Sequence, residues 1–284
     1  MATPSVLTPA GPVRAAPSGP GICVSGVAAA TFRERREPLN SGDVRIVREM
    51  LEAHGRADEL EEQLRLRGNS FIAMGEDLLR QVGGPVPQAD AVILAYQVPD
   101  LHTPDVAGCY FSQRLVGGPV PLSIDEQGPG AAFTALRVAD AMFRLGELRS
   151  AALFAYDQNA PVWGASEAVQ SLPDSAVLLL LGASGPMRVE EITELPTADP
   201  GAALAVSLAR YPRALALVGG SLMDRLGDLA AHERIVRAPR AHLFTAAWMS
   251  LARLWPLAGP VIVADFHDQA SRLYSCLLVR QERP

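Results

Sequence analysis

The stretch VPLSIDEQGPGAAFTALRVADAMFRL, residues 120–145, contains a short apolar segment, a tight turn and a long alanine-rich segment in direct succession. Residues 120–124 predict a strand, because the segment is short and apolar and a break follows it. The Gly128-Pro129-Gly130 triplet predicts that turn. Residues 131–145 predict a long buried helix. A strand that turns tightly into a buried helix is typical of layered α/β proteins.

The rest of the chain alternates in the same way. Further strands are predicted over 21–28, 89–96, 150–156, 175–181 and 214–218, with a closing pair over 261–266 and 273–279. Helices are predicted from a capping Ser41, and over 70–82, 104–115, 200–210 (capped by Asp199) and 246–254. The strands are continuously apolar, which favours a sheet covered by helices on both faces. We therefore expect an α/β fold in two halves, each with a mostly parallel sheet.

Composition excludes several classes of protein. The 284 residues are 49% hydrophobic and 20% charged, with a net charge of −6, which is typical of a globular chain. Without a basic stripe, nucleic-acid binding is not expected. No apolar run is long enough to span a membrane. Three cysteines with no paired spacing, Cys23, Cys109 and Cys276, predict neither a disulfide framework nor a zinc site, and favour a cytoplasmic setting. Residues 1–20 are predicted to be a flexible tail.

Four segments from residue 89 onward resemble the ketosynthase III branch of the thiolase superfamily. They are ADAVILA at 89–95, TPDVA at 103–107 with QRLVGG at 113–118, the strand, turn and helix of 123–141, and LPDSAVLLL at 172–180. Weaker matches follow at 214–224, 240–247 and 259–279. The resemblance implies a thiolase fold, layered αβαβα, with pseudo-symmetric halves at 21–185 and 186–284.

In that family, a cysteine at the start of the buried helix works with a histidine and an asparagine. Aligned on this chain, the three positions fall on Pro129, Gly220 and Leu243. None of these side chains can act as a nucleophile or polarise a thioester carbonyl. The resemblance therefore implies a degenerate site with no catalytic residue of the standard kind and no cofactor.

Two interpretations remain open. In the first, the chain is similar to the non-catalytic subunits of heterodimeric alkylquinolone-type synthases. It would pair with an active ketosynthase III-like chain in polyketide or fatty-acyl secondary metabolism, or with itself. The resemblance places the dimer interface at Val120, Leu122, Ile124 and Asp125. In the second, the chain is an acyltransferase or hydrolase of altered chemistry that acts on groups bound to acyl carrier protein or coenzyme A. Its candidate residues are His242, His267, Asp265 and Asp268, each of which could equally be an ordinary structural side chain.

Overall fold

The computed structural model describes residues 21–34, 37–65, 67–102, 106–158, 172–240 and 242–281. The predicted tail therefore lies outside the described residues. The twelve strands within these ranges are β1 Cys23–Phe32, β2 Glu37–Pro38, β3 Arg67–Gly68, β4 Ala91–Tyr96, β5 Val120–Ile124, β6 Ser150–Asp157, β7 Asp174–Gly182, β8 Met187–Pro196, β9 Leu215–Val218, β10 Ile235–Arg237, β11 Val261–His267 and β12 Arg272–Arg280. The helices are α1 Ser41–Ala53, α2 Leu60–Gln63, α3 Phe71–Val82, α4 Ala107–Arg114, α5 Ala131–Leu145, α6 Pro200–Arg210, α7 Gly220–Met223 and α8 Ala246–Leu254.

Ten of these strands form one mixed sheet in the order β10-β9-β11-β12-β8-β1-β7-β6-β4-β5. In the first half β5, β4 and β6 are parallel neighbours, while β7 is antiparallel to both β6 and β1. In the second half β10, β9 and β11 are parallel, while β12 is antiparallel to both β11 and β8. The same order and direction therefore occur twice, and the copies join where β1 pairs with β8 through Cys23 and Val24.

Alternate side chains of each strand face different helix layers. On β6, Leu153 and Ala155 pack in a central core with α5 and α8, whereas Phe154 and Tyr156 pack against the outer helices α3 and α4. On β11, Val263 likewise faces the central layer, and its neighbours pack with the outer helix α6. The predicted α/β class and αβαβα layering are therefore confirmed. The expectation of a mostly parallel sheet in each half was wrong, because the ten strands form one mixed sheet in which each half has two parallel and two antiparallel strand pairs. The boundary between residues 185 and 186 stays a prediction, although the strand order begins to repeat between β7 and β8.

Local signals account for most of the helix bounds. Ser70 caps α3 by accepting from the Ala73 N–H, and Asp199 caps α6 by accepting from the Ala202 N–H. The predicted cap of α1 was wrong by one residue. Asn40, not Ser41, is the N-cap, because its side chain accepts from two amides while the Asp43 carboxylate accepts from the Asn40 N–H.

Three differences from the sequence predictions concern edges and polar segments. The helix predicted over 104–115 begins in the described chain at Ala107, and residues 103–105 lie outside the described part. Strand β8 was missed because its sequence, MRVEEITELP, is rich in Glu. The short strand β10 was missed as well. Neither changes the order of the layers.

Candidate functional site

The turn before α5 is a 3₁₀ turn over Gly128–Gly130, with Pro129 at its centre. Gly128 has φ +50°, and the His267 imidazole occupies the space that a Cβ atom there would need. The Tyr274 ring packs in the same way against Gly130. The backbone at this turn is therefore enclosed by β11 and β12, so that β11 of the second half reaches the start of the first half's buried helix.

Pro129 has no backbone N–H, and α5 has no side-chain cap at its N-terminus. A thiolate at this position would be stabilised by free amides and by the helix dipole. The chain carries a proline there instead. Of its three cysteines, Cys23 and Cys276 are buried and Cys109 is exposed on α4. Burial raises the pKa of both the Cys23 and the Cys276 thiols.

Gly220 and Leu243, which are far apart in the sequence, line one cavity of about 520 Å³. Gly220 is the first residue of α7 and is separated from the end of β9 by Gly219. Leu243 lies just before α8 and is 41% exposed. The neighbouring aromatic residues Phe244 and Trp248 are buried in the central core rather than filling this space. The cavity is completed by Ser221, Asp224, Arg225, Arg240, His242 and Asp268.

His242 is 4% exposed and forms part of the wall of that cavity. Its Nε2 atom lies 3.2 Å from Thr31 Oγ1, at the end of β1. Its Nδ1 atom has no hydrogen-bond partner among the described residues. Burial, and secondarily the nearby Arg33, lowers the pKa of this imidazole. His242 is therefore a neutral, buried ring with one unused nitrogen at neutral pH.

Asp265 lies on β11, behind the loop that carries Gly220. Its carboxylate occupies the space that a Cβ atom at Gly219 would need, so this approach requires glycine there. The Phe266 N–H donates to Asp265 Oδ1 at 2.8 Å, and the Leu222 amide also donates to this carboxylate. Burial raises the pKa of Asp265 to about 7. Asp265 therefore supports the loop from behind and does not line the cavity.

The remaining two candidates, His267 and Asp268, are engaged with other residues. Asp268 is on the cavity rim, where it forms an ion pair with Arg225 at 2.5 Å. The Nδ1 atom of His267 accepts a hydrogen bond from the Ala270 N–H at 2.9 Å, so this imidazole supports a turn next to Gly128. No hydrogen bond joins any two of the four candidates within the described residues. The structure therefore brings His242 and Asp268 to one cavity without connecting them.

Asp157 was not among the predicted site residues, although it ends β6 and is 5% exposed. Its carboxylate accepts from the Phe244 N–H at 3.1 Å and from the Thr245 N–H and hydroxyl at 2.9 Å each. It thereby holds the two residues that precede α8, beside Leu243. Burial raises the pKa of Asp157 despite these hydrogen bonds. The only sequence signal was its place at the end of an apolar strand.

Three of the predicted interface residues lie on β5, the last strand of the sheet order, and Asp125 directly follows it. Val120 is 59% exposed, Asp125 is exposed, and Leu122 and Ile124 are half-buried. Two arginines of the segment 234–240 have partners within the chain. Arg234 donates to three backbone carbonyl groups, and Arg240 forms an ion pair with Asp224.

Neither a metal cluster nor a membrane-spanning helix occurs in the ranges that the structure describes. The polar groups of the cavity include two Arg–Asp pairs, which leave no set of free carboxylates or imidazoles arranged for a cation.

Comparison with known proteins supports the fold. No family model matches the chain, and no curated protein matches its sequence. Among solved structures, 3-oxoacyl-(acyl carrier protein) synthase III, FabH, from Pseudomonas aeruginosa covers 93% of this chain and 99% of its own, with a TM-score of 0.60 and 13% identity. Xanthomonas campestris OleA, solved with lauric acid and lauroyl-CoA, covers 92% and 99%, with a TM-score of 0.61 and 8% identity.

The acyltransferase ChlB3 is also similar, with a TM-score of 0.58 and 16% identity over 92% of this chain and 98% of its own. At such low identities the likeness shows the fold and not the reaction. The chain has the thiolase fold, and its structural neighbours are condensing enzymes and acyltransferases of the ketosynthase III type.

Proposed function

We propose that this protein is a catalytically incomplete ketosynthase III-like subunit. It pairs with an active ketosynthase III-like chain in polyketide or fatty-acyl secondary metabolism, stabilises that chain and shapes its acyl pocket. The observation that carries the proposal is the turn before α5, where Pro129 stands between two glycines that are covered by His267 and Tyr274. The described chain has the fold of condensing enzymes, but the position expected to hold their nucleophile is a proline.

The other two positions support the same conclusion. Gly220 and Leu243 line a common cavity, as a histidine and an asparagine acting on one thioester would have to do. Neither glycine nor leucine can donate to a carbonyl oxygen through its side chain. A cavity lies between these two positions, and neither has a reactive side chain, which is expected of a subunit that keeps its fold for a partner.

The edge of the sheet supports a paired state. Strand β5 has no neighbour on its outer side in the described chain. Exposed apolar side chains surround it, with Val106, Val116 and Val120 each more than half exposed. Unpaired edges next to apolar side chains favour association.

The test is co-expression with the ketosynthase III-like chain encoded beside this one, selected for its intact Cys, His and Asn. We expect the two chains to co-purify, the partner to gain stability, and condensation to require both. Replacing the partner's cysteine with Ala should abolish turnover, whereas Pro129→Ala in this chain should leave it unchanged. Acyl-thioester turnover by this chain alone, without co-purification, would refute the proposal.

A second candidate function rests on His242. Its buried Nδ1 atom has no partner in the described residues, and the ring forms part of the cavity wall with Ser221 and Asp268. A neutral imidazole of lowered pKa can act as a general base. In this alternative the chain hydrolyses or transfers acyl groups carried by acyl carrier protein or coenzyme A.

His242→Gln separates the two functions, because the amide retains a polar contact to Thr31 but cannot act as a base. If the altered chemistry is correct, acetyl-CoA hydrolysis by the isolated chain falls by at least 100-fold, in the range of lost general-base catalysis. If the subunit function is correct, the activity of the co-expressed complex is unchanged. Thr31→Val is the matched control, since it removes the contact to Nε2 and leaves the imidazole in place.

A further inference from the structure

Strand β5 presents different backbone groups on its two sides. The Val120 N–H donates to the Asp90 carbonyl at 3.0 Å, so Val120 points its backbone groups toward β4. In a parallel ladder these groups alternate in direction from residue to residue. Leu122 and Ile124 therefore also point inward, while Pro121 and Ser123 point toward the free edge of the sheet.

Because of the proline, this free edge has fewer hydrogen-bond donors than acceptors. Ser123 offers both an N–H donor and a carbonyl acceptor, whereas Pro121 offers a carbonyl acceptor alone. Within β5 the outward groups are thus two acceptors and one donor. Proline on an edge strand is a recognised way of restricting which strands can pair there.

When β5 pairs with β5 of a second copy, an N–H donor is missing on both strands. If two β5 strands run antiparallel about a two-fold axis at Leu122, Ser123 of each copy lies opposite Pro121 of the other. Each Ser123 N–H then donates to a Pro121 carbonyl, and both return bonds are missing, which leaves two. A different strand with an N–H at every outward position would form three bonds with the same two residues, because a single proline is involved.

Exposed apolar side chains near this edge favour the binding of another protein chain. Val106 is 60% exposed, Val116 54%, Val120 59% and Tyr110 38%. Val106 directly precedes α4, and the other three lie on α4, on β5 or in the turn between them. This grouping makes the edge an association surface rather than a solvated one. Its apolar side chains attract any edge strand, while the backbone donors discriminate between strands.

We infer that Pro121 directs the free edge of β5 away from a second copy of this chain. The occupant it favours is an antiparallel edge strand of a different thiolase-fold chain, one with an N–H opposite the Ser123 carbonyl as well as opposite the Pro121 carbonyl. This inference rests on the proposed function, in which the partner is a different subunit, and adds a residue that selects that partner.

Pro121→Thr tests this inference within the chain itself, because the substitution restores the backbone N–H at residue 121. A pair of two wild-type chains forms two edge bonds, a mixed pair three, and a pair of two Pro121→Thr chains four. With one net hydrogen bond equivalent to about fivefold in affinity, each step should tighten association by about that factor. Sedimentation equilibrium of each protein, and of a mixture with one chain fluorescently labelled, measures all three constants.

Two further variants keep the experiment decisive. Pro121→Val supplies the same donor and should reproduce the effect if the threonine variant misfolds. Ser123→Pro removes the remaining donor, so a pair of two such chains forms no edge bond and should associate about 25-fold more weakly than the wild-type pair. Val120→Thr, at an inward position, should leave the order of the three constants unchanged.

The outcomes distinguish this inference from the proposed function. Equal association constants for wild type and both Pro121 variants would overturn the role of Pro121, even if the co-expressed partner still co-purifies. Absence of co-purification with the intact ketosynthase III-like chain would overturn the proposed function, even if Pro121→Thr dimerises as expected.

Discussion

Asp265 is a carboxyl group that lies 2% exposed on β11, where the amides of Phe266 and Leu222 donate to it. Burial raises its pKa from 3.8 to about 7, with a smaller contribution from the negative charges of Asp157 and Asp268. The folded chain therefore binds this proton more tightly than the unfolded chain. The resulting stability is fully present below pH 3.8 and is lost as the pH rises to about 7.

Asp265→Asn should remove this dependence, because the amide keeps the acceptor oxygen and carries no charge. Between pH 4 and pH 8 the wild type should lose about 4 kcal/mol of unfolding free energy more than the variant, at about 1.36 kcal/mol per pKa unit. Urea unfolding at pH 4.5, 6 and 8 measures the difference. His242 contributes equally to both proteins, so it cancels. Parallel stability curves would contradict the expectation.

Pro129→Cys should produce an activated thiol at the start of α5. The helix dipole and the nearby free amides stabilise a thiolate there, so its pKa should fall below the usual value of about 8.5. The measurement is the pH dependence of alkylation by iodoacetamide in a Cys109→Ser background. Arg137→Cys, exposed in the middle of the same helix, is the control and should titrate near about 8.5. Identical midpoints would show that the turn does not activate a thiol.

The segment that leads into the short helix α8 is held by a carboxylate from another strand. Asp157 on β6 accepts from two backbone amides and one hydroxyl at the start of this helix, in a fully buried setting. Helix α6, by contrast, is capped locally by the exposed Asp199. The two helices differ little in length. They therefore allow a carboxylate supplied by a distant strand to be compared with one supplied by the residue before the helix.

Asp157→Ala should destabilise the protein by about 3 kcal/mol or more, because buried amides at the start of α8 lose their acceptor. Asp199→Ala, the control, should cost about 1 kcal/mol, as is usual for an exposed N-cap. Denaturant unfolding of both variants tests this order. A cost for Asp157→Ala no larger than that for Asp199→Ala would mean that water replaces the carboxylate.

Elements with a local cause were predictable from the sequence. Helices α5, α6 and α8 have the predicted bounds, since their ends follow from Gly130, from Asp199 and Pro200, and from apolar periodicity. Strand β8 could not be predicted in this way. Its glutamates are stabilised by distant arginines, as when Glu194 accepts from both Arg137 and Arg272.

The contacts of the candidate site were beyond the sequence because they join residues far apart in the chain. Thr31 meets His242 across 211 positions, and Asp157 meets Thr245 across 88. Sequence reasoning could name Pro129, Gly220 and Leu243 as positions. It could not show that two of them share a cavity while the third lies under His267.

The central core unites the two halves of the molecule. Helices α5 and α8 pack together between the two sets of strands, with the Phe133 and Trp248 rings 4.9 Å apart. Residues from both halves therefore bury the same apolar surface. A half on its own would leave one side of its buried helix in water.

The fragment 21–185 should accordingly fail to fold alone, because the α5 surface that faces α8 would be exposed. We expect no cooperative urea transition and weak near-UV circular dichroism, and we expect both to recover when 186–284 is co-expressed. The full chain should unfold in a single transition that is the same by fluorescence and by circular dichroism. Cooperative unfolding of the isolated fragment would contradict this account.

The contacts that hold the start of each buried helix come from the opposite half. Asp157 of β6 accepts hydrogen bonds from the residues before α8, and His267 of β11 packs against the turn before α5. Neither half, consequently, contains everything that fixes the start of its own buried helix. A substitution at the end of β11 should alter the turn before α5, which belongs to the opposite half. A substitution at the end of β6 should alter the loop that carries Leu243. Engineering a condensing centre into this chain would thus require changes in both halves, because an activated thiol at residue 129 alone would still lack polar side chains at Gly220 and Leu243.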